Sequence, residues 1–320
     1  MAQVMNALTI TELGKKAEVI EMPRPQVDES SVVVKTAYSG VSVGTEMWNA
    51  YGNLKFYGEP PFINGYQATG TVVEVGENLK GKYREGDYVA VFCSGAHAEY
   101  VKSRGDLIHK LSSEKSLKPC SMFVQPSVAM NAWNITGVEA GNTVYVIGQG
   151  LIGQCAALLA RLKGAYVITS DISEERILIS QKLCANWAID ASKSSALEAI
   201  QQKYPSGVDI VAESTGFEPL LNDGLGATKF NGKFVFMGFY PGDVKYNYYL
   251  AHKKQLRAFF PLFIGERPVQ ESIIRMIENG YIEMNKLISH EVNWEESAAT
   301  YNQLFTKERN SFNGIVFNWN

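Results

Sequence analysis

The chain has 320 residues, enough for two hydrophobic cores. With 46% hydrophobic residues, 20% charged residues and a net charge of −3, its composition is that of a globular protein, and no basic block supplies the electrostatic footprint of a nucleic-acid binder. No apolar run reaches the roughly 18–20 residues of a membrane span. The segment up to Arg24 is interrupted by Glu12, Lys15, Lys16 and Glu18, unlike a signal peptide, so a cytoplasmic location without membrane or nucleic-acid partners is expected.

Up to about residue 120 the sequence reads as β-rich. Short apolar runs at 31–38, 68–75, 87–92 and 99–102 alternate with turn signals, among them Gly65, Gly70, Gly76 and Gly86. The pattern then changes. Residues 143–147 (TVYVI) form a continuous apolar run, as expected of a buried parallel strand. Residues 150–163 carry Leu151, Ile152, Cys155, Leu158, Leu159 and Leu162 at helical spacing. A second strand follows at 166–170 and ends at Asp171, and 174–184 is helical again. Strand-like runs recur at 208–212 and 233–237 with helical stretches between them. This alternation implies a doubly wound parallel sheet, an α/β fold. After about 285 β character returns at 288–292 and 314–317 and is expected to close back onto the first domain. The expected domains are 1–121 with 285–320, β-rich, and 122–284, dinucleotide-binding. Cys93, Cys120, Cys155 and Cys184 lack metal-ligand spacing and are expected to be reduced and buried.

The strongest motif is Gly148-Gln149-Gly150-Leu151-Ile152-Gly153, a GxGxxG directly after a strand and opening a helix. Gly148 permits the tight turn, Gly150 leaves the backbone open to a pyrophosphate, and Gly153 lets helix and strand pack closely. The helix N-terminus then offers free N–H groups and the positive dipole end to phosphate. Asp171, at the end of the next strand, suits the ribose hydroxyls of NAD and would repel the 2′-phosphate of NADP, so NAD is the expected cofactor. Glu213-Ser214-Thr215-Gly216 follows a later strand at the carboxyl edge of the sheet, where ligands bind, so Ser214 and Thr215, with Gly238 on the following strand exit, are further candidate cofactor residues; an ordinary strand exit is the alternative.

With this order of motifs the chain resembles the medium-chain dehydrogenase/reductase superfamily along essentially its whole length. The phrases that carry the resemblance are Ser39-Gly40-Val41-Ser42-Val43-Gly44-Thr45-Glu46, Asn64-Gly65-Tyr66-Gln67-Ala68-Thr69-Gly70, Gly86-Asp87-Tyr88-Val89, Ala98-Glu99-Tyr100-Val101 and Gln125-Pro126-Ser127-Val128-Ala129. The resemblance implies a Rossmann domain beside a β-rich GroES-like domain. In zinc-dependent members a Cys, a His and a third Cys or Glu hold the catalytic metal. The matching positions here are Ser42, Tyr66 and Gln125, a poor zinc set, so no metal is expected. The four-cysteine lobe that holds structural zinc in many relatives is absent as well. With these changes the Ser-Gly-x-Ser-x-Gly-Thr-Glu phrase is similar to that of the zinc-independent subgroup of bacteriochlorophyllide a dehydrogenase, which oxidises a hydroxyethyl group to an acetyl group.

Without zinc, another group must stabilise a developing alkoxide. Tyr66 is the first candidate, as a phenol donor or, with a lowered pKa, a base; packing is the alternative. Thr45 and Ser42 suit a proton relay or local turn bonding. Glu46 suits a general base or an ion pair inside its own domain. His97 more often supports a turn in its Gly95-Ala96-His97-Ala98 phrase, and His109, His252 and His290 read as surface or strand residues. Trp48, Tyr51, Phe56 and Tyr57 suit either a flat or apolar small-molecule substrate or plain packing.

The expected activity is zinc-independent, NAD(H)-dependent interconversion of a secondary alcohol and a ketone. An enoyl or quinone reductase and a non-catalytic nucleotide-binding redox sensor are the alternatives. Residues 232–238 (GKFVFMG) read as an edge strand able to pair with its twin in a homodimer.

Overall fold

A computed structural model describes residues 3–54, 57–240 and 242–320. In chain order the first strands are β1 (Val4–Glu12), β2 (Lys16–Pro23), β3 (Ser31–Val41), β4 (Phe62–Ile63), β5 (Gln67–Val75), β6 (Tyr88–Phe92), β7 (Tyr100–Arg104) and β8 (Ile108–Lys110). Then come β9 (Thr143–Ile147), β10 (Tyr166–Asp171), β11 (Trp187–Asp190), β12 (Val208–Glu213), β13 (Thr228–Phe236) and β14 (Arg257–Phe259). β15 (Ile288–Asn293) and β16 (Gly314–Asn318) complete the series. The chain divides into two compact units, residues up to Val124 with Gln270–Asn320, and Gln125–Val269.

The first unit is built on two sheets. One has the order β2-β1-β4; the other runs β15-β16-β3-β5-β6-β8, with β7 also paired to β3. β3 is buried on both faces for most of its length, which its run Val32, Val33, Val34 requires. Val32, Val34, Val72, Val89, Val91 and Ile108 form one core cluster; Leu8, Ile10, Met47, Tyr301 and Phe317 belong to another. β16 lies parallel to β15 and antiparallel to β3, with Ile315 opposite Val41, so the late β segment does join the early one.

Two expectations are corrected here, and one element is added. The β1–β2 hairpin was not foreseen, because the charges of Glu12, Lys15, Lys16 and Glu18 mask a run whose second strand is only partly covered. Gly70 lies inside β5, not in a turn; a Cβ there would sit 2.0 Å from the Lys35 carbonyl oxygen, so it marks a close strand approach. The second boundary between the units falls at 269/270, ahead of 285: Gln270 bonds His109 (2.7 Å) and Glu278 accepts from the Ser112 amide (2.7 Å), which ties most of the helix Arg267–Glu278 into the first unit. His109 lies buried on β8, the strand alternative of its reading.

The second unit is one six-stranded sheet, order β11-β10-β9-β12-β13-β14, every pair parallel. Parallel neighbours need crossovers, supplied by the helices Leu151–Leu162, Glu174–Ile179, Ala196–Lys203, Leu220–Ala227 and Tyr248–Lys253. The order reverses beside β9, the switch point at which doubly wound sheets bind ligands. The helix Leu151–Leu162 buries Cys155, Ala156, Leu159 and Ala160 against the sheet; Gly164 ends it in the left-handed conformation (φ 89°), its N–H on the Arg161 carbonyl. β13 is not an edge: β14 covers it, so the expected pairing of residues 232–238 with a twin is corrected, and the open edge on that side belongs to β14. Among the described residues no helix is long and apolar enough to cross a membrane.

Candidate functional site

The carboxyl ends of β9, β10, β12 and β13 carry the polar site of the second unit. Gly148 leaves β9 at φ 88°, and a Cβ there would meet the Thr215 methyl at 2.4 Å. Gly153 lies so close to the strand that a Cβ would stand 2.0 Å from the Gly148 oxygen. Gly150 differs. It is the extended N-cap of the helix (φ −65°, ψ 175°), and a Cβ there meets nothing within 4 Å. That open cradle above a helix N-terminus of twelve residues fits a pyrophosphate. Leu151 and Ile152, half-buried, begin the helix behind it.

Buried polar bonds fix the turn. Gln149 donates to the Gly148 oxygen (2.7 Å) and accepts from Ser180 (3.0 Å). The Ser214 hydroxyl reaches the Ile147 (2.7 Å) and Gly148 (3.0 Å) oxygens, and Thr215 donates to Glu213. Ser214 and Thr215 thus spend their hydroxyl protons inside the protein and shape the site. The Gly238 amide bonds the Glu213 carbonyl (2.7 Å), and a Cβ at Gly238 would strike the Gly216 amide at 2.3 Å. Asp171 accepts from the Gln149 amide (2.6 Å) through one oxygen and from the Ser173 amide (2.9 Å) through the other. Each oxygen keeps a lone pair for a ribose hydroxyl.

In the first unit, the phrases expected to carry chemistry meet around Glu46. Its side chain is fully buried, so a substrate-facing Glu46 base is corrected to the internal partner. One carboxylate oxygen accepts from the Ser42 amide (2.7 Å); the other bonds His97 Nε2 (2.8 Å) and the Tyr301 hydroxyl (3.1 Å). Burial, and then the Glu46 charge, push the Tyr301 phenol well above its ordinary value, so it stays a donor. His97 Nδ1 faces Ser39 Oγ (2.8 Å), which also takes the Trp319 indole N–H (2.9 Å). The Glu46 carboxylate can only accept, so the proton of a neutral His97 ring sits on Nε2, and Nδ1 then accepts from Ser39, whose oxygen takes the Trp319 N–H. Asn64 donates to Tyr301 (2.8 Å) and to the Glu46 carbonyl (3.1 Å), and its own oxygen takes the Gly65 amide (3.0 Å). The His97 ring lies against Gly65, where a Cβ would approach it to 2.8 Å.

This network fixes the backbone on both sides of the candidate hydroxyls. Ser42 is half-buried at the N-cap of the helix Val43–Ala50, with no capping bond from its side chain, and Thr45 is half-buried on the first turn. Tyr66 is half-buried, edge-to-face with Phe92 at 5.8 Å. Of the aromatic cluster, Tyr51 packs on Phe305 and Tyr57 stacks on Phe62 while donating to the Gly65 oxygen (2.9 Å); Phe56 lies outside the described residues. Gln125 is buried in the first turn of the helix Val124–Thr136. Among the described residues no group of three or more His, Cys, Asp or Glu side chains is gathered for a metal. The four cysteines are free and buried, and burial pushes the Cys93 and Cys184 thiols up to about 12. The sequence reading missed Glu213 and Tyr240 as a joined pair, and His97, Asn64 and Tyr301 as partners of Glu46; nothing in local spacing signals either set.

Residues 28–113 match the alcohol dehydrogenase GroES-like domain and residues 152–289 match the zinc-binding dehydrogenase domain. L-threonine 3-dehydrogenase of Pyrococcus horikoshii is 26% identical over 91% of this chain and 92% of its own length. Sorbitol dehydrogenase of Bacillus subtilis is 24% identical over 70% of this chain and 72% of its own. The crystal structure of a putative zinc-binding dehydrogenase from Sinorhizobium meliloti, bound to NADP, superposes with a TM-score of 0.88 at 21% identity over 99% of both chains. A GroES-like β domain followed by a parallel-sheet Rossmann domain with a glycine turn is the build of a two-domain oxidoreductase. The chain belongs to the medium-chain dehydrogenase/reductase superfamily.

Proposed function

We propose that the chain is an NAD(H)-dependent dehydrogenase that interconverts a secondary alcohol and a ketone without zinc. The observation that carries this is the open cradle at Gly150 with Asp171 anchored beside it. The cradle would hold the pyrophosphate through backbone amides, and Asp171 would take the ribose hydroxyls and disfavour a 2′-phosphate. Bound NAD supplies the hydride acceptor. Tyr66 would donate a hydrogen bond to the developing alkoxide, with Ser42 and Thr45 as relay hydroxyls. Glu46 and His97 hold the backbone that carries them. Zinc independence is supported by the hydroxyl, phenol and amide at Ser42, Tyr66 and Gln125, which do not fit the ion. This is the finer assignment, to the subgroup similar to bacteriochlorophyllide a dehydrogenase.

Four buried, unpaired thiols suit a reducing cytoplasm. A second copy of this chain is the proposed partner, now at the open edge of β14, beyond which Phe260, Leu262 and Phe263 are exposed. An elution mass of one chain would remove that partner.

The test is a titration with NADH and NADPH, followed by turnover with sorbitol, 2R,3R-butanediol, L-threonine and benzyl alcohol, the substrates named for similar proteins. Tighter NADH binding with oxidation of a secondary alcohol supports the proposal. NADPH preference with reduction of an enone or quinone replaces it by the reductase reading. Nucleotide binding without turnover of any of them points to a sensor.

A further inference from the structure

Glu213 is the buried carboxylate that the proposed chemistry leaves unused. It ends β12 with no exposed surface, and among the described residues no basic side chain pairs with it. Four donors surround its two oxygens instead. One oxygen accepts from the Thr215 amide (2.6 Å) and the Thr215 hydroxyl; the other accepts from the Gly216 amide (3.1 Å) and the Tyr240 hydroxyl. All four lone-pair sites are filled. Its main-chain carbonyl takes the Met237 (2.8 Å) and Gly238 (2.7 Å) amides as well. One residue therefore joins the loop after β12 to the loop after β13. The close approach at Gly238, where a Cβ would lie 2.6 Å from the Glu213 carboxylate, lets the loops meet.

A buried carboxylate without a cation is tolerated only where its hydrogen bonds are complete, and here the four donors come from the two loops at the strand exits. The placement gives the charge a use. A doubly wound sheet has two mononucleotide-binding halves. In the cofactor reading, β9, β10 and β11, with Asp171, would serve the adenosine side, and β12, β13 and β14 the nicotinamide side. Every hydrogen bond of the Glu213 side chain goes to residues at the strand exits of the second half.

We propose that Glu213, latched by Tyr240, is a positioning residue that preorganises the nicotinamide half of the cofactor site and leaves the adenosine half unaffected. The inference rests on the cofactor reading above. Glu213→Gln turns one acceptor oxygen into an N–H donor facing other donors, so the two loops lose their common anchor. Tyr240→Phe removes one donor and keeps the ring packed edge-on against Phe236.

The experiment compares NADH, by fluorescence titration, with 5′-ADP, by calorimetry, on wild type and both variants. The expected result for Glu213→Gln is an NADH Kd raised about tenfold, the equivalent of about one charge-assisted hydrogen bond, with the 5′-ADP Kd within about twofold of wild type. Tyr240→Phe should raise the NADH Kd about threefold and leave 5′-ADP unchanged. If Glu213→Gln does not fold, Tyr240→Phe decides alone. Equal weakening of both ligands, or unchanged NADH binding, overturns the proposal. A wild-type chain that binds neither ligand refutes the cofactor reading itself, and that outcome is seen before any variant is made.

Discussion

Adding one methyl group at each glycine of the 148–153 turn separates what holds the fold from what holds a cofactor. At Gly150 the backbone is extended with φ −65°, so alanine fits without strain, and its Cβ meets no protein atom within 4 Å. Loss of the better N-cap residue costs about 0.5 kcal/mol, and the smaller freedom of the unfolded chain returns about as much. Gly150→Ala should therefore melt within about 2 °C of wild type. The same methyl occupies the cradle, so NADH should bind at least about tenfold more weakly, about 1.4 kcal/mol. At Gly153 the Cβ would lie 2.0 Å from the Gly148 oxygen and 2.8 Å from Ser214 Oγ, and ordinary contact begins at 3.4 Å. The helix must recede by more than an ångström. Overpacking of about 2–3 kcal/mol, less about 1 kcal/mol for a better helix former, leaves about 1–2 kcal/mol of destabilisation and a Tm lowered by about 3–6 °C. Scanning calorimetry and NADH fluorescence on both variants give the answer. A Gly150→Ala protein that binds NADH as wild type does, or that melts as early as Gly153→Ala, refutes the cradle.

Glu46→Ala would leave the Ser42 amide, His97 Nε2–H and the Tyr301 hydroxyl without their acceptor in a fully buried site, so urea unfolding should show a loss of about 3–5 kcal/mol; a loss below about 1 kcal/mol would contradict the network. The four thiols should resist iodoacetamide at pH 8 and react once the chain is denatured. Burial raises all four above the ordinary 9.0, so the unfolded chain releases these protons first. Their contribution to stability is then full below pH 9.0 and is lost as pH rises from there toward the folded-state values, which an alkaline series of urea midpoints will show as a decline. Protein purified without added metal or chelator should carry less than about a tenth of a zinc equivalent, since Ser42, Tyr66 and Gln125 offer no thiolate, imidazole or carboxylate. Near one equivalent per chain would end the zinc-free mechanism.

The second unit was the more legible part of the sequence. Its central strands are buried on both faces, so 143–147 stands out as a continuous apolar run with a second strand at 166–170, and the glycine motif between them has a spacing that can be read locally. The first unit hid more. β2 alternates charge with partial burial, and Gly70 imitates a turn because a close strand approach and a turn both demand the absence of a side chain. β14 is three residues long, too short to announce itself, which is why its neighbour β13 read as an edge. Glu46 and His97 lie 51 residues apart, and Glu213 and Tyr240 lie 27 apart. Hydrogen bonds across such intervals leave no period in the sequence, so each residue could be judged only by its immediate phrase.

The place of β16 has a consequence for how the chain is made. Residues 314–318 are the central partner of both β15 and β3, and Trp319 reaches back to Ser39. A ribosome completes the Rossmann sheet while the first unit still lacks that strand. The inserted unit is therefore the earlier one able to fold during synthesis, and β3 must wait with an unpaired edge until the late residues emerge. A pause or a truncation between residues 270 and 313 would leave a finished nucleotide-binding unit joined to an open sheet, the species on which chaperones and proteases would act first.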